Sequence, residues 1–471
     1  MIRKTKIIAT IGPSTSSKEV LRKLILKGTT VCRLNFSHIS HEKAKETISL
    51  VKEINQELQA HTAILADLQG PKIRIGDLSK PIRLKKGKEI VFTTRKTKNK
   101  IHIKYSHFAK DVEPRDRVLI DDGKLVLDVV STNKKDQVIL KVVFGGVLKS
   151  RKGVNLPNTK ISLPSITKKD KKDLDFILTQ KIEWIGLSFV RTPKDIIDLK
   201  KIIKKHKQTH RVIAKIEKPE AIKNIDNIIK ETDAIMVARG DLGVEVPPQK
   251  VPVYQKMIVD RCISNATPVV IATQMLESMT NSPTATRAET NDVANSVIDG
   301  VDALMLSGET SIGKYPEKTI DTMRKIIKNI EESEHNISLN IKEKKLPSRK
   351  RIVSTAICSQ ACYVAEKTQA KAIITVTHSG FNTIQTSSFR PQAFIYTFTN
   401  NHKILNTLSL VWGVQGFYYD GGITTNKTIE ETKDFLKNKK YLKKGDMVVN
   451  IASMPAQEKG MTNMMKVSKI K

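Results

Sequence analysis

The chain has 471 residues, of which 39% are hydrophobic and 28% charged, and its formal net charge is +34. This length exceeds what one hydrophobic core usually supports and predicts about three domains. The composition is typical of a soluble globular protein, and no apolar run approaches the roughly 20 residues needed to span a bilayer, so we expect no membrane-spanning segment.

The N-terminal segment MIRKTKIIATIGP has the basic flank of a signal peptide. Its apolar stretch is short, however, and Gly12-Pro13 interrupts it at once. We therefore predict an opening β-strand and a cytoplasmic protein. The four cysteines fit that compartment, because none forms a Cys-x-x-Cys pair and Cys358 and Cys362 have the spacing of small buried residues on one helix face.

Eight short, β-branched runs alternate with amphipathic stretches along the chain, most of them about 25–35 residues apart, as a strand, a helix and two loops require. This alternation predicts a (β/α)8 barrel. The predicted strands are Lys6–Thr10, Val31–Asn35, Ala63–Asp67, Trp184–Ser188, Val212–Glu217, Ala234–Ala238, Pro268–Ala272 and Ala303–Leu306.

The interval between the third and fourth predicted strands is too long for a loop. It contains β-rich runs such as KGKEIVFTT, DRVLIDDGKLVLDVV and KDQVILKVV, with Asp122-Gly123 as a hairpin turn. We predict a small inserted β-barrel domain at residues 71–163, which could act as a lid. The barrel would then comprise residues 1–70 and 164–338.

A charged, proline-containing stretch, IKEKKLPSRKR, reads as a linker after about residue 338. Beyond it, the helix TAICSQACYVAEKT and the strands AIITV, AFIYTF and DMVVNIAS alternate. This pattern predicts a third domain of α/β type at residues 339–471.

Polar residues, with two glycines among them, follow nearly every predicted barrel strand, which is where the functional residues of such barrels gather. They are Arg33, Asn35, Ser37, Asp67, Ser188, Lys215, Glu217, Arg239, Gly240, Asp241, Thr273, Ser307, Gly308, Glu309 and Thr310. A barrel that needed only stability would not require polar residues at so many strand ends.

Lys215, Glu217 and Asp241 form the most informative group. Lys215 and Glu217 lie two residues apart and point to the same face of a regular strand, while Asp241 ends the next strand. Two carboxylates with substrate oxygens and waters are a usual way to hold Mg²⁺, and Lys215 with Arg33 would neutralise a transferring phosphoryl group. A plain ion pair between Lys215 and Glu217 is the alternative.

At these residues the sequence resembles the pyruvate kinase family. The matching stretches occur in the family's order over nearly the whole chain: TKIIATIGPS (5–14), CRLNFSH (32–38), DLQGPKIRIG (67–76), SRKGVNLP (150–157), GLSFVR (186–191), AKIEKPE (214–220), MVARGDLGVE (236–245), ATQMLESM (272–279), the segment 282–316 and GMTNMMKV (460–467). The inserted and third domains also match the family's layout.

The resemblance implies phosphoryl transfer from phosphoenolpyruvate to ADP, giving pyruvate and ATP. Arg33 and Lys215 would contact the phosphoryl group, and Glu217 with Asp241 would bind Mg²⁺, or Mn²⁺ in its place. The backbone of Gly240 and Asp241 would hold the substrate carboxylate. Further implied roles are substrate positioning by Thr273, proton delivery by Ser307 and Glu309, and nucleotide contact by His38, Arg74 and Lys152.

Many members of this family bind K⁺ beside the residue that matches Asp67. By resemblance, the corresponding positions here are Asn35, Ser37, Asp67 and Leu68. Leu68 replaces a hydroxyl, and Lys72 stands where these relatives have an acidic residue. Either Lys72 is a surface lysine in a lysine-rich protein, or its ammonium group supplies the charge of K⁺. We favour the second interpretation and expect activity without K⁺.

The loop THSGFNT (377–383) lies between a predicted strand and helix, as a loop that binds a phosphorylated effector would. His378 and Asn382 stand where activated relatives have lysine or serine, so the loop could instead be degenerate. The resemblance also implies a homotetramer. It implies neither a nucleic-acid nor a membrane partner.

Two rival functions fit parts of the sequence. Another barrel phosphotransferase acting on an enol phosphate would share the metal pair, but not ATQMLESM, Ser307-Gly308-Glu309-Thr310 and the inserted domain together. The charge of +34 would suit a nucleic-acid-binding protein that has lost activity. That protein would need one basic, aromatic face, whereas the lysines here are scattered and aromatic residues make up only 5% of the chain.

Overall fold

The computed structural model describes residues 3–97, 100–157, 159–333, 351–421, 424–454 and 461–471. The predicted linker, apart from Arg351, and the predicted boundary at residues 338 and 339 lie outside these ranges. Among the described residues, no helix is both long enough and apolar enough to cross a membrane.

The first three strands and two helices of the chain begin the barrel. They are β1 (Lys6–Thr10), α1 (Lys18–Lys27), β2 (Val31–Asn35), α2 (His41–Leu58) and β3 (Ala63–Asp67). Local chemistry fixes the helix ends. The Ser17 side chain accepts from an amide in the first turn of α1, and Gly28 ends that helix at a φ of 116°.

A β-rich insertion follows β3. Its elements are β4 (Ile73–Arg74), β5 (Ile82–Leu84), β6 (Glu89–Thr93), β7 (Ile101–His102), α3 (Phe108–Asp111), β8 (Arg117–Ile120), β9 (Leu125–Thr132), β10 (Gln137–Phe144), β11 (Gly146–Leu148) and β12 (Gly153–Asn155). Seven of these strands form one sheet in the order β4-β12-β8-β9-β10-β6-β7. An antiparallel bridge between Ile75 and Ile103 joins the ends of the two edge strands, so the sheet curls back on itself. We call this insertion the lid.

The chain then returns to the barrel. The elements are α4 (Lys168–Ile177), β13 (Trp184–Leu187), α5 (Pro193–Lys205), β14 (Arg211–Ile216), α6 (Pro219–Lys223), α7 (Ile225–Glu231), β15 (Ala234–Ala238), α8 (Arg239–Glu245), α9 (Val251–Ser264), β16 (Val269–Ala272), α10 (Arg287–Ile298), β17 (Ala303–Leu306), α11 (Gly308–Ser311) and α12 (Pro316–Glu332). Short 3-10 turns cover Pro248–Lys250 and Glu277–Thr280.

The eight parallel strands close in the order β1-β17-β16-β15-β14-β13-β3-β2, which confirms the predicted barrel. All eight predicted strands are present, and their ends differ from the predictions by one residue at most. Because β3 and β13 are neighbours in the barrel, the lid leaves and re-enters between adjacent strands. It is therefore tethered at the rim where the strands end.

The third part of the chain is an α/β unit, as predicted. Its elements are α13 (Ile352–Lys367), β18 (Ala372–Val376), α14 (Phe381–Ser387), β19 (Phe394–Thr399), α15 (His402–Leu408), β20 (Val414–Tyr418), α16 (Thr425–Asn438), β21 (Met447–Ala452) and β22 (Met464–Lys469). They form one sheet in the order β20-β19-β18-β21-β22, in which only β22 is antiparallel.

This α/β unit packs against the barrel at the opposite end from the lid, where the strands begin. A buried ion pair joins Arg390 to Asp302 at 2.7 Å, and Asn406 donates to Glu183 at 3.0 Å. The three parts have separate apolar cores, as the sequence indicates. The numerical domain limits remain predictions.

Candidate active site

The polar residues predicted from strand ends meet at one rim of the barrel. Parallel strands in a closed barrel all finish at the same end, so side chains far apart in the sequence become neighbours. The four strands β14, β13, β3 and β2 are consecutive in the barrel. Their ends carry Lys215, Ser188, Asp67 and Arg33, respectively.

Four charged side chains pack together there. Arg33 donates from Nε and Nη2 to Oδ2 of Asp67 at 2.8 and 2.6 Å. Lys215 Nζ lies 3.2 Å from Oδ1 of Asp67, 2.9 Å from Oε1 of Glu217 and 2.8 Å from the Ser188 hydroxyl. None of these four residues is more than 8% exposed. We call Arg33, Asp67, Lys215 and Glu217 the charge cluster; its two cations and two anions balance.

The charge cluster shifts the pKa values of its members. Burial alone would raise the pKa of Asp67, but Lys215 and Arg33 outweigh burial and hold that pKa below its ordinary value. Burial disfavours the charged form of Lys215, yet Asp67 and Glu217 raise its pKa. Burial raises the pKa of Glu217 against the pull of Lys215, with a further contribution from Asp241. Lys215 is therefore a permanent cation at neutral pH.

Asp241 lies beside the charge cluster, on the first turn of α8. Within the described residues, nothing donates a hydrogen bond to its carboxylate, although its charge affects both Lys215 and Glu217. A free carboxylate next to the buried Glu217 is a donor set that suits Mg²⁺, which needs only one or two protein carboxylates beside substrate and water. In the described parts of the chain, no three His, Cys, Asp or Glu residues are grouped so that they could hold a metal ion.

Gly240 brings the start of α8 against the loop that follows β16. Its amide donates to the Thr273 hydroxyl at 2.7 Å. A Cβ atom on Gly240 would lie only 3.2 Å from that hydroxyl, so a larger residue here would press against Thr273. Thr273 itself has a φ of +73°, which is strained for a β-branched residue.

Ser307 and Glu309 lie at the end of β17. The Glu309 carboxylate is 2% exposed and accepts from the amides of Ser307 at 2.7 Å and Leu276 at 3.3 Å. Burial raises the pKa of Glu309, and hydrogen bonds from backbone amides offset part of that rise. The group therefore holds a proton more readily than an exposed glutamate does.

A cleft of about 240 Å³ separates the lid from the barrel rim. Arg74 and Lys152 line it from the lid side and Asp241 from the barrel side. Lys152 pairs with Asp121 at 2.8 Å, so its ammonium group turns toward the lid. His38 is exposed, and burial together with the charges of Lys72 and other cations lowers its pKa.

The predicted monovalent-cation residues are only partly brought together. Asn35 and Ser37 are adjacent, because Asn35 Oδ1 accepts from the Ser37 amide at 3.0 Å. Asp67 is instead paired with Arg33 and Lys215, the two cations of the charge cluster. Leu68 is 1% exposed and packs in the apolar core of the barrel. Lys72 lines the lid cleft, and in the described residues it forms no salt bridge with Asp67.

The loop at residues 377–383 does connect β18 to α14, next to a cavity of about 240 Å³. His378 and Ser379 line this cavity. Asn382 also lines it, but its amide donates to the Val376 carbonyl at 3.0 Å. Asn382 therefore stabilises the loop itself.

Sequence reasoning missed several residues of the rim. Thr10 accepts from Arg33 Nη1 at 2.9 Å, although its position at the end of β1 was a usable signal. Lys218 and Asn155 both donate to Oε1 of Glu245, at 2.7 and 2.8 Å. The last contact joins the lid to the barrel, and no local pattern could have shown it.

Comparisons with known proteins agree with this architecture. A family model for the pyruvate kinase barrel domain matches residues 2–320, and one for the pyruvate kinase alpha/beta domain matches residues 355–468. The chain is 41% identical over 477 residues to pyruvate kinase 2 of Synechocystis sp., covering 100% of this chain and 80% of that protein. It is 38% identical over 475 residues to a pyruvate kinase of Staphylococcus epidermidis, covering 99% and 80%. A crystal structure of a pyruvate kinase from Cryptosporidium parvum superposes with a TM-score of 0.92 at 35% identity, covering 100% of this chain and 96% of that one.

Proposed function

Since the chain belongs to the pyruvate kinase family, we propose that the barrel rim is where it transfers a phosphoryl group between phosphoenolpyruvate and ADP. Enzymes of this family produce pyruvate and ATP in the last step of glycolysis, and they generally depend on Mg²⁺. The observation that carries the proposal is the buried charge cluster beside the Asp241 carboxylate, to which no described residue donates a hydrogen bond.

Arg33 and Lys215 are the proposed contacts for the phosphoryl group. Both cations are held in place by Asp67, so they need not reorganise when negative charge moves from one oxygen to another. The phosphorus–oxygen bond to the enol breaks as the bond to the terminal phosphate oxygen of ADP forms. Cations fixed over this path stabilise the charge that develops during transfer.

Glu217 and Asp241 would hold the Mg²⁺ ion, with Mn²⁺ as an alternative. When bound, the ion supplies positive charge to the phosphoryl and enolate oxygens. Lys215 now lies 2.9 Å from Glu217 and balances part of its charge. The amides of Gly240 and Asp241 lie in the first turn of α8 and would hold the substrate carboxylate, for which the Gly240 amide would first have to leave the Thr273 hydroxyl.

The enolate left by phosphoryl transfer takes a proton on carbon to become pyruvate. We assign substrate positioning on that face to Thr273, and proton delivery to Ser307 and Glu309. The support is the raised pKa of Glu309, whose buried carboxyl can retain a proton.

His38, Arg74 and Lys152 are the proposed nucleotide contacts. Arg74 and Lys152 lie in the lid cleft, so movement of the lid would bring both over the phosphates and exclude water. Lys152 would have to leave Asp121 to reach them. We further propose a cytoplasmic homotetramer, and a phosphorylated effector as the ligand of the 377–383 loop.

We also propose that the enzyme is active without K⁺. In the described residues Lys72 lines the lid cleft and forms no salt bridge with Asp67, so its ammonium group would have to move to supply the charge of K⁺ there. The support is instead that Asp67 already has two cationic partners, Arg33 and Lys215.

A coupled assay of pyruvate formation tests the assignment. With phosphoenolpyruvate and ADP, we expect turnover that requires Mg²⁺ and persists when tetramethylammonium replaces K⁺. Asp241→Asn should weaken activation by Mg²⁺, whereas Asp226→Asn, an exposed carboxylate on α7, should not. Absence of pyruvate from folded protein with Mg²⁺ would contradict the function, and transfer to an acceptor other than ADP would favour another enol-phosphate phosphotransferase. Turnover that collapses without K⁺ would contradict only the K⁺ proposal.

A further inference from the structure

The turn after β16 is strained at two consecutive residues. Thr273 has a φ of +73° and Gln274 a φ of +56°, in the left-handed region that residues with a Cβ avoid. Such conformations persist only where the surroundings impose them, and they concentrate at functional sites. Some group must therefore hold this turn.

The Arg239 guanidinium is that group. Ala238 is paired with Ala272 in the barrel, so Arg239 and Thr273 each follow directly on neighbouring strands. Arg239 Nη2 donates to the Thr273 carbonyl at 2.9 Å and approaches the Gln274 carbonyl at 3.4 Å. These bonds fix the two carbonyls of the strained turn from one side.

Asp292 of α10 holds the guanidinium in turn. Its two carboxylate oxygens accept from Nη1 and Nη2 of Arg239 at 2.6 and 2.7 Å, a bidentate arrangement. The Arg239 side chain is 12% exposed and that of Asp292 is 33% exposed. Lysine has no planar fork, so it could not bond the carboxylate and the turn carbonyls in the same geometry.

We propose that Arg239 and Asp292 are positioning residues that hold the Thr273 hydroxyl toward the substrate. This inference rests on the proposed function, in which Thr273 contacts phosphoenolpyruvate. We call Arg239 and Asp292 the clamp. The clamp fixes the backbone of Thr273, whose hydroxyl accepts from the Gly240 amide at 2.7 Å and donates to the Ala272 carbonyl at 2.5 Å. Neither clamp residue needs to touch substrate.

A double-mutant cycle between Arg239→Lys and Thr273→Ala tests the clamp. Arg239→Lys should lower kcat/KM for phosphoenolpyruvate on the order of 100-fold, the loss expected from a displacement of about 1 Å, while KM for ADP stays unchanged. Thr273→Ala should lose a comparable factor. Because no hydroxyl remains to be positioned in that background, the double variant should be no worse than Thr273→Ala alone.

Two further measurements separate positioning from general damage. In Arg239→Lys, amide exchange should accelerate in the segment 273–276 and not in α9. Arg261→Lys is the matched control, because Arg261 also pairs with an aspartate, Asp226, at 2.9 Å, but at the surface. It should leave all kinetic constants unchanged.

The outcomes distinguish the two levels of the proposal. If the losses of Arg239→Lys and Thr273→Ala multiply in the double variant, the clamp does not act through Thr273 and this inference is overturned, while the role of Thr273 stands. If Thr273→Ala retains full activity, the assigned role of Thr273 fails, and the inference fails with it.

Discussion

Replacing Lys215 by Met should separate the structural and the catalytic roles of the charge cluster. The cluster has two cations and two anions, none more than 8% exposed. Lys215→Met leaves Asp67 and Glu217 with Arg33 as the remaining cation. Removing one partner from a buried ion pair costs about 3–5 kcal/mol, which corresponds to a fall in Tm on the order of 10 °C for a domain of this size.

The catalytic loss should be larger and independent of stability. A cation that stabilises a transferring phosphoryl group is worth roughly 10³–10⁵-fold in kcat. Asp67→Asn in the Lys215→Met background restores the net charge balance, because one cation, Arg33, and one anion, Glu217, remain. This double variant should therefore recover most of the lost Tm and none of the lost kcat.

Thermal unfolding and the coupled pyruvate assay measure the two effects on the same samples. Lys18→Met is a suitable control, because Lys18 also contacts two carboxylates, Glu53 and Glu57, but is 40% exposed. It should change neither Tm nor kcat appreciably. An unchanged Tm in Lys215→Met would refute the balance argument. Recovery of kcat in the double variant would show that Lys215 serves only to neutralise Asp67.

Two further predictions concern the contacts that join the three parts of the chain. Burial raises the pKa of Glu183, which lies where the α/β unit meets the barrel, against hydrogen bonds from Ile64 and Asn406. The folded pKa of Glu183 exceeds the ordinary value of 4.5, so its contribution to stability is greatest below pH 4.5 and is lost as pH rises through the folded pKa. Glu183→Gln should therefore raise Tm at pH 8 more than at pH 5. Asn155→Ala removes the lid's 2.8 Å hydrogen bond to Glu245. Because such a bond is worth about 1 kcal/mol, KM for ADP should rise about fivefold, while KM for phosphoenolpyruvate stays the same.

Each of these predictions has a clear contrary result. A lower Tm for Glu183→Gln than for the unsubstituted protein at pH 8 would mean that the ionised carboxylate stabilises the interface. An unchanged KM for ADP in Asn155→Ala, or an equal rise in both KM values, would show that this hydrogen bond does not set the position of the lid.

The barrel could be predicted because its signals are local. Each strand is a short run of buried apolar residues that ends in a polar turn, and the structure places all eight within one residue of the predictions. The lid was indicated by alternating β-rich runs and the Asp122-Gly123 turn, which does connect β8 to β9. These patterns depend on residues that are close in sequence, where periodicity and turn chemistry apply.

The site could be predicted only as a set of residues. A spacing of two residues places Lys215 and Glu217 on one face, and they lie 2.9 Å apart. The same reasoning could not show that Asp67 binds both Arg33 and Lys215, or that Lys72 misses Asp67. These pairings depend on barrel closure, which makes neighbours of strand ends far apart in the chain.

By itself, the sequence determined the order of strands and helices, the inserted and third domains, and Lys215, Glu217 and Asp241 as candidates for one site. The tertiary structure decided how that trio is arranged: two carboxylates contact Lys215, and no described residue donates a hydrogen bond to the Asp241 carboxylate. It also brought the Arg239 guanidinium within hydrogen-bond distance of the strained turn at Thr273. The physical reason is that periodicity encodes which face a side chain occupies, whereas distances between faces are set only when the barrel closes and its core packs.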